Sequence, residues 1–172
     1  MKPYALMLIL PLFIYSCKKS DHSGPETPAS CDMIQVYADN AKKQTITTGV
    51  WGTVAFMEGN CMPVVGTYST CKTCPVKRTI RFYEYTLLSQ TLPQNNIGPF
   101  YDGFTTKLVK EIETDDAGFY QTTLPAGKYS VVIVENGKLY ANGLDGTGGI
   151  SPVTVAANAE KINLTLSYKA VF

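Results

Sequence analysis

"TDDAGFYQTTLPAGKYSVVI" (residues 114–133) joins an acidic turn, a short alternating strand, a proline–glycine turn and an apolar run. Asp115, Asp116 and Gly118 suit a tight turn, because an Asp side chain bonds its own backbone and Gly tolerates positive φ. Pro125 presets φ for the second turn, and Gly127 closes it. The run from Tyr129 to Glu135 is then apolar on both faces, the pattern of a central strand covered on two sides. These residue types shape backbone. The stretch reads as scaffold, not as a site of chemistry.

Two-residue periodicity extends outward from it. "GVWGTVAFME" (49–58) puts Val50, Gly52, Val54 and Phe56 on one face and Trp51, Thr53, Ala55 and Met57 on the other. "RTIRFYEY" (78–85) alternates Ile80 and Phe82 against Arg81, Tyr83 and Tyr85, and "KLVKEIET" (107–114) sets Leu108 and Ile112 on one side. "FYQTTL" (119–124), a short edge strand "LYAN" (139–142) and "ISPVTV" (150–155) follow the same logic. In "KINLTLSYKAVF" (161–172), Ile162, Leu164, Leu166, Tyr168 and Ala170 share one face without interruption. The expectation is an all-β fold, a small antiparallel or mixed β-sandwich of seven to eight strands over 49–172. Residues 31–48 read as an irregular or short-helix lead-in.

The spacing in the opening stretch resembles the carboxypeptidase regulatory-like (prealbumin-like) β-sandwich family. Its pattern is an early Gly-x-Val strand, then Thr-Asp-x-x-Gly-x-Tyr, then Pro-x-Gly-x-Tyr and an apolar strand. The matching residues are Gly52, Val54, Thr114, Asp115, Gly118, Tyr120, Pro125, Gly127 and Tyr129, and the likeness covers residues 49–170. It implies a non-catalytic module. In zinc carboxypeptidases such a module accompanies a separate catalytic domain, to which nothing in this sequence corresponds. Two departures are the long connection 86–107 and four cysteines within the domain.

The chain begins "MKPYALMLILPLFIYSC", one lysine followed by an uncharged, mostly apolar run from Tyr4 to Ser16. Thirteen helical residues rise about 20 Å, short of a hydrocarbon core of about 30 Å, so a signal peptide over 1–16 is expected rather than a membrane span. "IYSC" resembles the bacterial lipobox, which implies cleavage that leaves Cys17 as the mature N-terminus, carrying acyl chains; the alternative is an ordinary signal peptide with an incidental cysteine. Residues 17–30 then read as a lipidated cysteine and a disordered tether, polar and holding two prolines. Lys18 differs from the aspartate that often retains lipoproteins in an inner membrane, so the resemblance implies the outer membrane of a Gram-negative cell envelope.

Net charge is +1, and no Lys/Arg cluster supports nucleic-acid binding. The single histidine, His22, falls in the tether, which leaves imidazole-based nucleophile systems and His-ligated zinc without a ligand in the domain. No cofactor is expected. Cys31, Cys61, Cys71 and Cys74 read first as two disulfides, with Cys61 bonded to Cys71 or Cys74; the Cys71/Cys74 pair "CKTC" leaves a zinc site or a redox-active dithiol as rivals. "GPFYDGF" (98–104) offers Phe100, Tyr101 and Phe104 either as a sugar- or protein-binding surface or as a cap over one end of the sandwich, with the cap favoured. "NGLDGTGG" (142–149) has one carboxylate, Asp145, and reads as a flexible glycine turn rather than a calcium or phosphate loop. Glu111, Glu113, Asp115 and Asp116 read as a solvated strand end rather than a glycosidase pair. The expected function is that of a non-enzymatic, membrane-tethered envelope lipoprotein with a structural or binding role, whose partners are the membrane and an envelope protein or glycan.

Overall fold

A computed structural model describes residues 31–63 and 69–172. The expected signal peptide, Cys17, the tether and His22 lie outside the described residues. The lead-in contains helix α1 (Met33–Ala41), whose first turn is capped by Asp32 accepting the Gln35 N–H. Nine residues make a marginal helix in water. Tertiary contacts hold it: the buried Asn40 amide donates to Thr53 Oγ1 and to the Ala117 carbonyl, each at 2.9 Å.

The strands are β1 (Gly49–Asn60), β2 (Lys72–Pro75), β3 (Thr79–Glu84), β4 (Thr91–Leu92), β5 (Phe100–Tyr101), β6 (Gly103–Phe104), β7 (Leu108–Glu113), β8 (Phe119–Thr122), β9 (Gly127–Glu135), β10 (Lys138–Tyr140), β11 (Pro152–Val155), β12 (Ala159–Lys161) and β13 (Leu164–Val171). In the first sheet β1 is central. Its first half lies between β12, parallel, and β8, antiparallel; its second half lies between β13, parallel, and β2, antiparallel. The second sheet is antiparallel, in the order β5-β10-β9-β3-β7, with β11 also on β9. The expected all-β sandwich is present. All eight strands read from the sequence exist, and β2, β4, β5, β6 and β12 are additional short ones.

Two expectations need correction. β10 is not an edge strand, because β5 pairs with its far side. Leu108 and Ile112 do not share a face: a register shift opposite Phe82 and Tyr83 turns Leu108 outward, 42% exposed. The apolar row Ile162, Leu164, Leu166 and Tyr168 packs on the core between the sheets as expected, but with a register shift, since Phe56 pairs with Leu166 and Glu58 with Lys169. That bulge adds one residue to β13. The Ser167 N–H is accepted there by the Tyr140 hydroxyl at 3.0 Å.

Between the sheets lies a core of Val50, Val54, Ile80, Phe82, Val131, Ile133 and Leu166. A second cluster, containing Tyr83, Val132, Leu139 and Ile150, occupies the opposite face of the second sheet. The connection 86–107 covers it with Leu88, Tyr101 and Phe104. This is why β9 is apolar on both faces: Val131 and Ile133 point between the sheets while Val132 and Val134 point beneath the connection.

The opening stretch of sequence is tied to β1 at two glycines. Gly118 sits at φ 69° so that its carbonyl accepts the Val54 N–H at 2.8 Å, and a Cβ there would lie 2.3 Å from the Val54 oxygen. Gly52 has no side chain because the Ile162 carbonyl occupies that space; an added Cβ would come within 1.8 Å of its oxygen. The same carbonyl accepts the buried Tyr120 hydroxyl at 2.7 Å.

Candidate functional site

The features with most chemical character gather where β1 and β13 end together. Asn60 pairs with Val171, and the Cys61 N–H donates to the Val171 carbonyl at 2.8 Å. Two disulfides close this end. Cys61–Cys71 (Cα–Cα 4.6 Å) bridges the loop that leaves β1, and Cys31–Cys74 (Cα–Cα 5.0 Å) fastens the lead-in to β2. Cys74 lies opposite Phe56 in the ladder.

Beside this staple Phe56, Phe100, Tyr140 and Tyr168 form an edge-on aromatic group with centroids 5.1–5.8 Å apart. The Tyr168 hydroxyl donates to Glu135 Oε1 at 2.7 Å, and Arg78 Nε donates to Oε2 of the same buried carboxylate. Burial pushes the Glu135 carboxyl up, but the hydrogen bonds from Arg78 and Tyr168 outweigh it and hold the group below its ordinary value. In return, the bond to Glu135 raises the Tyr168 phenol. The network joins the two sheets: Glu135 ends β9, and Tyr168 belongs to β13.

The two sulfurs of "CKTC" take different partners, Cys71 with Cys61 and Cys74 with Cys31. All four domain cysteines are thus spent in disulfides, which leaves neither a thiolate nucleophile nor a sulfur donor for zinc. Among the described residues no group of three His, Cys, Asp or Glu side chains is placed to hold a metal ion.

The reading of Phe100, Tyr101 and Phe104 as displayed binding rings is corrected by their packing. Tyr101 is 2% exposed and edge-on to Phe104, which also meets Tyr83, while Phe100 packs against Tyr140 and Tyr168. Burial of these rings yields more than exposure would, because the outer face of the second sheet is itself apolar. Tyr101 and Phe104 cover that face, while Phe100 packs against the core between the sheets.

Asp145 organises its glycine loop, which is therefore pinned and not a free turn. One carboxylate oxygen accepts from the Thr147 N–H, the Thr147 hydroxyl and the Gly149 N–H; the other accepts from the Tyr85 hydroxyl at 2.7 Å and Lys128 Nζ at 2.9 Å. The Tyr85 and Lys128 bonds hold this carboxyl far below the ordinary range. A carboxylate saturated with donors has no lone pair to offer a cation. The other acids are similarly engaged: Glu111 with Arg81, Glu113 with Lys77, and Asp115 with Lys43 and the Phe119 N–H. They serve turns and edges and do not converge as a pair. Between the sheets, Val131, Ile133, Tyr140, Asn142, Ser151 and Leu164 line a cavity of about 30 Å³, the space of one water.

Arg78, Glu135 and Tyr168 were not singled out from sequence, and neither were Tyr85 and Lys128. One signal was available for the first group: Glu135 is a carboxylate ending an otherwise apolar central strand, which demands a partner.

No family model matches this chain, and no curated protein is similar to it. Among solved structures, the Bacillus anthracis TIE protein is similar over 68% of this chain and 17% of that chain, with 16% identity and a TM-score of 0.31. The chain thus spans about a sixth of that protein's length.

Proposed function

We propose that the chain is a non-enzymatic lipoprotein of the cell envelope, a membrane-tethered β-sandwich of the carboxypeptidase regulatory-like kind with a structural or binding role. The observation that carries this reading is the Cys31–Cys74 disulfide. It clamps the folded body at the point where the polar segment 17–30 joins it, so load on a tether passes into β2 and β1 through a covalent bond and not through the short helix α1. Disulfides also suit an exported chain. The family resemblance gains physical content from the duties of its motif residues. Gly52 and Tyr120 both serve the Ile162 carbonyl, Gly118 serves β1, and the Tyr129 hydroxyl bonds back to the Pro125 carbonyl at 2.9 Å. All are architectural duties, in keeping with a module that displays a surface.

The test is Cys17→Ser. The proposal expects loss of acylation, altered processing and release from the outer-membrane fraction. Unchanged processing and fractionation would refute the anchor.

A further inference from the structure

We infer that the lead-in 31–48 is a releasable strap whose catch is the Cys31–Cys74 disulfide: opening that bond frees α1 from the first sheet while the sandwich stays folded. Both core clusters are built from Val50 onward, and no residue of 31–48 belongs to either. Met33, Val36 and Tyr37 are only half-buried, and Asn40 is the one buried residue of α1. The Asn40 amide donates to Thr53 and Ala117, but its buried Oδ1 has no partner among the described residues, which offsets part of what those two bonds contribute. The remaining ties lie in solvent. Lys43 meets Asp115 as an exposed ion pair, a kind that contributes little, and Thr45 and Gln121 exchange two exposed hydrogen bonds of 2.9 and 3.0 Å. A nine-residue helix so lightly held does not persist without its covalent bond.

The two disulfides differ in what they control. With Cys61–Cys71 open, β1 and β13 remain paired, and the Cys61 N–H still bonds the Val171 carbonyl. With Cys31–Cys74 open, no strand pairing ties the lead-in to the body. Cys31 and Cys74 are both half-buried, so a dithiol can reach their sulfurs. One thiolate of the dithiol attacks the bond and forms a mixed disulfide; its second thiol displaces the protein sulfur. Two electrons and two protons pass to the cysteines, and the dithiol leaves as a disulfide. The consequence for the molecule rests on the lipoprotein reading. Thirteen residues, 18–30, lie between Cys17 and Cys31, whereas thirty-one, 18–48, lie between Cys17 and Gly49, where β1 begins. Their fully extended lengths are about 45 Å and about 100–110 Å, so release of the strap roughly doubles the reach of the anchored sandwich.

The chain carries its own reporter. The Lys161 ammonium lies 5.9 Å from the Tyr37 ring centre and 5.2 Å from that of Trp51, so the ring on α1 and the one tryptophan are neighbours. The experiment follows hydrogen exchange, peptide by peptide, on the full chain with and without dithiothreitol. Oxidised wild type should protect residues 33–41. Dithiothreitol, or the Cys31→Ser/Cys74→Ser pair without it, should speed exchange there about tenfold or more while β3 and β9 keep their protection. Trp51 emission should shift to the red in step, as Tyr37 leaves. Cys61→Ser/Cys71→Ser should stay closed until dithiothreitol is added. If residues 33–41 keep their protection once the bond is open, or if β3 and β9 lose theirs together with them, the inference is overturned. Membrane fractionation of the same proteins reads the anchor separately. A soluble chain that opens refutes the anchor and leaves the strap standing, whereas an anchored chain that stays closed sinks the strap alone.

Discussion

Gly52 and Gly118 show what a family-like motif does at the scale of single atoms. Gly52 gives up a side chain so that the Ile162 carbonyl, between β12 and β13, can approach β1; Gly118 does so where the turn before β8 meets the Val54 carbonyl, and the Tyr120 hydroxyl completes the junction at Ile162. Gly52→Ala therefore forces backbone apart in the core. It should cost about 2–3 kcal/mol or more, measured as a lower denaturant midpoint with unchanged m-value. The carboxylate of Glu135 supplies a second prediction. Its folded-state value lies below the unfolded value of about 4.3, so its pairing with Arg78 and Tyr168 stabilises the protein above that pH and is lost as pH falls through the folded value. The stability gap between wild type and Glu135→Gln should thus shrink as pH falls below about 4.3. The turn residues were legible in the sequence because turn chemistry is local. The partners of Glu135 were not, since Arg78 and Tyr168 lie 57 and 33 positions away.

At the scale of elements, periodicity located every main strand but not their registers. The bulge in β13 and the shift in β7 each add one residue that alternation alone cannot reveal, because the pattern on either side of a bulge still alternates. The Asn136–Gly137 pair that closes the β9–β10 hairpin, with φ of 50° and 78°, carried a sequence signal that the strand reading left unused. The disulfides lend themselves to a graded test. Loop-closure entropy gives about 4 kcal/mol for the 43-residue separation of Cys31–Cys74 and about 3 kcal/mol for the 10-residue separation of Cys61–Cys71. Replacing each pair by serine should lower stability in that order in equilibrium unfolding. The reverse order would mean that the lead-in is held by Asn40 and its contacts more than by its sulfur bond.

Taken whole, the molecule has four layers: a short helix, a mixed sheet, an antiparallel sheet and the long connection 86–107. From sequence that connection reads as a cap over one end of the sandwich, with a binding surface as the rival. In the fold it is a wall, because a sheet apolar on both faces requires two covers. The first strand has as its parallel neighbours the last two, β12 and β13, more than a hundred positions downstream. A polypeptide made or threaded from one end cannot finish its first sheet until almost its entire length is free. Such wiring defers maturation, leaving the early strands pliable until the late ones can lock them.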